Sequence, residues 1–174
     1  MYIETENLIV RNFKLEDKND LCEYMLQRVD EKFEGYPWFN KDKAQEEIEN
    51  RSKSEEFFAI ELKANHKVIG NVYLGKRDFN TLELGYVLNK GYQRKGYGYE
   101  ACKVAVDYMF AHGTRRIYAE TCPQNIASFS LMEKLGMRRE ALFIQNISFY
   151  NDDKGNPVYL DTYEYAILAD EWKK

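Results

Sequence analysis

Two neighbouring stretches decide the fold: Thr81-Leu82-Glu83-Leu84-Gly85-Tyr86-Val87-Leu88 and, shortly after, Gln93-Arg94-Lys95-Gly96-Tyr97-Gly98-Tyr99. In the first, Leu82, Leu84, Tyr86 and Leu88 fall on one face of a strand, with Thr81, Glu83, Gly85 and Val87 on the other. After the second, Ala101, Val104, Ala105 and Tyr108 recur at the spacing of a buried helical stripe, and Gly113 suits the helix end. The loop between them therefore opens a helix. The first N–H groups of a helix have no internal partner and lie at its positive end, which favours an anion. Gly96 and Gly98 tolerate positive φ and let backbone approach a ligand, and Arg94 and Lys95 add positive charge. These features together suit a pyrophosphate.

Working outward, residues 7–13 alternate as a strand, and Glu16 and Asp17 open a helix with Leu21, Tyr24 and Met25 on one face. Residues 27–40 are irregular and aromatic. Asn40 is placed to cap a second helix that runs to Ser52. Phe57–Leu62 and residues 68–74 form a hairpin that turns at residues 64–67. Beyond the central helix come a short strand at 117–120, a helix capped by Asn125 and stopped by Gly136, and two long β segments at 141–150 and 158–168. The order β-α-α-β-β-β-α-β-α-β-β predicts an α+β sheet, antiparallel at first and parallel only around the central β-α-β unit.

The segment Gly96-x-Gly98-x-x-Ala101 also fits a dinucleotide fingerprint, with Glu120 near the expected acidic position. The strand ends well before Gly96, the preceding strands pair as hairpins, and too little chain follows for a doubly wound second half. The nicotinamide or flavin reading is set aside on those grounds.

The chain has 174 residues, 44% of them hydrophobic, which is enough for a core and predicts one domain spanning 1–174. Its longest apolar run, at 165–169, is far below the roughly 20 residues of a membrane helix. The acidic start shows no secretion signal. A net charge of −4 argues against nucleic acid as a partner. Cys22, Cys102 and Cys122 lack the spacing of a disulfide frame or a zinc site, so the expectation is a reduced cytoplasmic protein without metal. His66 falls in a hairpin turn and His112 beside Gly113, and neither reads as catalytic.

At the Gly96 loop the sequence resembles the GNAT acetyltransferase superfamily, whose acetyl-CoA loop reads Q/R-x-x-G-x-G/A. Thr5-Glu6-Asn7-Leu8-Ile9-Val10-Arg11 is similar to that family's first strand, and Glu83-Leu84-Gly85-Tyr86-Val87-Leu88 to its acetyl-CoA-facing strand. Asn125-Ile126-Ala127-Ser128 with Glu133-Lys134-Leu135-Gly136-Met137 resembles its N-x-x-S and E-K-x-G-F segment. The end of the chain, residues 161–168 with Glu171-Trp172, resembles the RimJ/RimL-like branch, which modifies ribosomal-protein N-termini. Met137 replaces a frequent Phe. Val87 stands where this branch often carries Trp, which bears on the wall beside the thioester.

The resemblance implies a mixed sheet of about six to seven strands flanked by about four helices, with a splayed central strand pair. It implies direct acetyl transfer from acetyl-CoA, as co-substrate, to a primary amine: a protein N-terminus or a small amine. Residues 93–98 (Gln93, Arg94, Lys95, Gly96, Tyr97, Gly98), Val87, Leu88 and Asn125 would contact acetyl-CoA, with a backbone N–H near Val87 and Leu88 facing the oxyanion. Glu83 is the candidate base, acting through water, and Ser128 the candidate acid for the thiolate; an exposed strand Glu and a helix-start Ser are the plainer readings of both. A Tyr acid stays open among 14 tyrosines. Tyr36, Trp38 and Phe39, with Glu31 and Glu34, could wall an acceptor pocket for a cationic amine, or simply cover the end of the sheet. The resemblance leaves a homodimer open. A different class, a non-catalytic acyl-CoA-binding module, would retain residues 93–98 with Glu83 and Ser128 dispensable.

Overall fold

The computed structural model describes residues 1–29, 31, 33, 35–36 and 38–172. Among them, one sheet of eight strands runs in the order β1-β2-β3-β4-β5-β6-β8-β7. The strands are β1 (Tyr2–Glu4), β2 (Leu8–Asn12), β3 (Phe57–Leu62), β4 (Lys67–Arg77), β5 (Thr81–Leu88), β6 (Arg116–Thr121), β7 (Arg138–Asn151) and β8 (Pro157–Leu168). The helices are α1 (Lys18–Leu26), α2 (Ala44–Lys53), α3 (Tyr97–Ala111), α4 (Ile126–Lys134) and the short α5 (Ala169–Trp172). The expected strand order holds, with one strand more than expected at the N-terminal edge and one short helix more at the end. β1 is too short to show a period of its own and is held by pairing with β2.

Alternation along the strands sends side chains into two cores. Leu82 and Leu84 of β5 join Leu8, Val10, Phe58 and Ile60 beneath α3 and α4. Val87, on the other face, joins Leu21, Tyr24 and Met25 of α1 and Ile48 of α2. The β3–β4 register shifts by one residue between Ile60 and Glu61. That bulge lets Ile69 and Val72, three apart, reach the same core.

Helix α1 buries the face its spacing predicts, Leu21, Tyr24 and Met25. In α3 the buried set is Ala101, Cys102, Ala105, Val106 and Phe110, whereas Val104 and Tyr108 are half-buried. The small Ala101 and Ala105 remain central, and the helix is rolled towards Cys102 and Val106. A periodic pattern with two apolar flanks cannot tell which flank meets the sheet.

The N-terminal segment is pinned to the first turn of α3. Glu100 accepts hydrogen bonds from the Thr5 hydroxyl (2.5 Å) and from the backbone N–H of Asn7 (2.9 Å). Two charged clusters brace the α1 side of the sheet. Buried Arg11 pairs with Asp17 (2.8 Å) and Glu61 (2.5 Å). Buried Arg51 donates to Asn71 (2.9 Å), pairs with Glu47 (2.7 Å) and lies over the ring of Phe57 at 4.6 Å.

Candidate active site

The site begins where the sheet comes apart. β5 and β6 are the one parallel pair among the described strands, and their ladder holds only at Thr81–Arg116, Leu82–Ile117 and Glu83–Tyr118. β5 continues to Leu88 and β6 to Thr121 without pairing to each other. A strand edge with unpaired N–H and C=O groups is a template for an extended ligand. On its other side β5 stays fully laddered to β4 from Gly70 to Arg77, so the open edge is rigidly held.

Beyond this edge the chain turns into α3. Asn89 bonds to the Ile69 carbonyl (2.8 Å), accepts from the Gly91 N–H (3.0 Å) and donates to Glu23 (2.6 Å). Gln93 returns its side-chain amide to the Leu88 carbonyl at 3.1 Å, tying the loop to the end of β5. Arg94 (φ 62°) and Gly96 (φ 89°) take the left-handed conformation, and Lys95 between them does not. Such alternation turns successive N–H groups toward one point and makes a concave anion seat. Gly96 is the N-cap of α3, so the seat merges with the helix start, which Tyr97 and Gly98 begin. Arg94 and Lys95 are exposed there, with the Lys95 ammonium 5.2 Å from the Tyr92 ring centre.

Across the gap, Asn125 caps α4 by accepting from the Ser128 N–H at 3.3 Å. Ser128 is buried, and its hydroxyl lies 3.0 Å from the Tyr86 hydroxyl, which also donates to the Ser128 carbonyl at 2.9 Å. Strand β5 and the first turn of α4 are thus joined by a hydroxyl pair. Sequence reading placed Tyr86 with the core. Its ring does pack there, but its oxygen reaches the helix start, a link visible only once α4 crosses β5.

A cavity of about 320 Å³ opens beside the gap. Glu83, Tyr86 and Val87 line it from β5, Asn71 and Tyr73 from β4, Glu120 from β6, and Tyr36 from the loop after α1. Glu83 is ion-paired to Arg77, and the Tyr118 hydroxyl stands 3.4 Å away. Glu120 is exposed to the cavity. Partial burial, then the negative charges of Glu83 and Glu164, hold its carboxyl above the ordinary glutamate value. Sequence reading weighed Glu120 only as a dinucleotide ligand. The available signal was its place at the C-terminal end of a strand next to the one that carries the loop, where open α/β sheets bind ligands.

The structure brings Glu83, Val87 and Tyr36 to one cavity and places residues 93–98 beyond the end of β5. Ser128 reaches the cavity wall through Tyr86. Trp38 stands outside the lining, 49% exposed, edge-on to Tyr36 and Phe39 at 6.0 Å. Glu31 is paired with Lys90 at 2.8 Å. Glu34 lies outside the described residues.

Comparison with known proteins accords with this geometry. The family model described as an acetyltransferase (GNAT) domain matches residues 7–138. An uncharacterized N-acetyltransferase of Bacillus subtilis, YnaD, is 34% identical over 178 residues, covering 99% of each chain. A GNAT-family acetyltransferase from Bacillus anthracis superposes with a TM-score of 0.86 at 31% identity, covering 98% of this chain and 99% of that one. RimL, a ribosomal L7/L12 alpha-N-protein acetyltransferase in complex with coenzyme A, has a TM-score of 0.83 at 15% identity, over 98% of this chain and 99% of its own. At that identity it shares the fold.

Proposed function

The chain belongs to the GNAT acetyltransferase family, and from that premise we propose that it is a RimJ/RimL-like enzyme, a single domain over 1–174, that transfers the acetyl group of acetyl-CoA to a primary amine. The observation that carries this reading is the parting of β5 from β6 after Glu83 and Tyr118, with an anion seat at the start of α3 just beyond. The residues present fit the co-substrate, since an open strand edge suits an extended amide-bearing arm and the left-handed loop suits a pyrophosphate.

Acetyl-CoA supplies an activated thioester when bound. The backbone N–H groups of residues 93–98 hold the phosphates, with Arg94 and Lys95 adding charge, and the open edge of β5 orders the arm. Asn125, already capping α4, borders the arm's path. N–H groups at Val87 and Leu88 donate to the reacting carbonyl oxygen, the position where preorganised donors give most. Glu83 takes the amine proton through water. That help matters more for a Lys-like amine, with pKa near 10.4, than for an α-amine near 7.7–8.0. Ser128, bonded to Tyr86, returns a proton to the thiolate. Tyr36, Trp38 and Glu34 border the acceptor, which is a protein N-terminus or a small amine.

Calorimetric titration with acetyl-CoA, followed by thiol-release assays on N-terminal peptides and small amines, tests the reading. Binding with thiol release is expected. Absence of binding refutes it, and binding without release on any amine leaves an acyl-CoA-binding module.

A further inference from the structure

Glutamates around the cavity are matched with cations except one. Glu83 is held by Arg77, and Glu164 by Arg116 at 2.7 Å. Glu140 is paired with Arg116 (2.6 Å) and Arg138 (2.5 Å). Glu120 lies directly opposite Glu164 in the β6–β8 ladder, a placement in which like charges repel. Among the described residues it makes no ion pair or hydrogen bond, yet it faces the cavity. The walls near it are aromatic: Tyr36, Phe57, Tyr73, Tyr86 and Phe149. An anionic group in an aromatic enclosure is complementary to an ammonium carried on an apolar stem.

We infer that Glu120 is a specificity residue of this site, binding the acceptor as a primary ammonium whose apolar stem packs on the aromatic walls. This rests on the reading of the cavity as the acceptor pocket. The stem belongs either to a free arylalkylamine or to an apolar N-terminal residue, and the chemistry at Glu120 is the same for both. Glu83 keeps the separate role of base, because Arg77 already satisfies its charge.

The test measures binding and needs no turnover. Phenethylammonium chloride and the tripeptide amide Phe-Gly-Gly-NH2 are titrated against the full chain by NMR. Each is paired with its uncharged counterpart, 2-phenylethanol or the N-formyl tripeptide amide. A charge-assisted contact predicts roughly tenfold tighter binding of at least one ammonium probe than of its neutral counterpart. The larger preference tells a free amine from a chain terminus. Glu120→Gln erases the preference, whereas Glu83→Gln retains it. Equal affinities in the native chain, or a preference that survives Glu120→Gln, overturn the inference. Failure of thiol release with the preference intact would instead count against the acetyl-transfer reading.

The native chain provides a second readout, because both probe amines remain protonated in acid. The groups facing Glu120 are Glu83 on β5, Glu164 on β8, the cations Arg77, Arg116 and Arg28, and the phenol Tyr118. The shift at Glu120 is upward, so on acidification the preference fades above the ordinary glutamate value of 4.5. A preference unchanged down to pH 4 refutes the assignment.

Discussion

Gly96→Ala separates backbone conformation from packing at the anion seat. Gly96 has φ 89°, and a Cβ built on it meets no atom within 4 Å. The substitution therefore carries no steric clash, only the conformational cost of a left-handed residue with a side chain, about 1–2 kcal/mol. Part is offset because Ala restricts the unfolded chain, by roughly 0.4–1 kcal/mol. A net loss of about 1 kcal/mol corresponds to a fall of about 2–4 °C in Tm for a domain of this size. Gly98→Ala is the control. Gly98 has no positive φ, and its Cβ would stand 3.1 Å from a Leu88 methyl, the far end of a flexible side chain. Its Tm should stay within about 2 °C of the native value, because better helix propensity opposes mild crowding. In Gly96→Ala, acetyl-CoA affinity should also fall roughly tenfold, since the turned N–H groups form charge-assisted bonds that depend on this conformation. Differential scanning calorimetry gives the first quantity and isothermal titration the second. A Gly96→Ala chain that melts and binds like the native protein would refute the requirement for a left-handed residue at this helix start.

Other outcomes follow from the same geometry. Ser128→Ala should lower kcat by about 100-fold with the acetyl-CoA Kd nearly unchanged if Ser128 donates the proton; Tyr86→Phe should lower it less, and a Ser128→Ala enzyme with native kcat removes Ser128 from that role. Asn125→Ala removes the cap of α4 and should cost about 1 kcal/mol, read from urea midpoints. Burial would raise Glu61, but hydrogen bonds from His66 and Arg11 overcome it and hold the carboxyl below 4.5. A depressed acid stabilises above its unfolded value and loses that contribution as pH falls through the folded one. Native stability should thus decline below about pH 4.5, and Glu61→Gln should flatten that decline while destabilising at pH 7. A pH profile with the same slope in both chains would contradict this.

Much of the architecture could be read from order and period. The alternation of β5, the stripe of α1, the caps at Asn40 and Asn125 and the Gly96 loop are local features. Each depends on residues only a few positions apart, where propensity and dihedral limits act directly. The same holds for Gly96, whose position before a helix already suggested the left-handed turn. The roll of α3 towards Cys102 and Val106 depended on which neighbour it met, and β1 depended on a partner strand.

The site divides along the same line. Sequence alone determined that a strand runs into a glycine loop and a helix start, because these features are contiguous, and that determines where an anion can bind. Only the tertiary structure decided how the charges and hydroxyls pair. Glu83 and Arg77, Tyr86 and Ser128, and Glu120 facing Glu164 are set by register and by the crossing of α4 over β5. A one-residue slip in any of those strands would turn the same side chains to the opposite face. Coulomb and hydrogen-bond energies depend on separations of a few ångströms, and chain distance does not fix such separations. For that reason the net charge of −4 concealed both the cationic loop at Arg94 and Lys95 and the uncompensated carboxylate of Glu120.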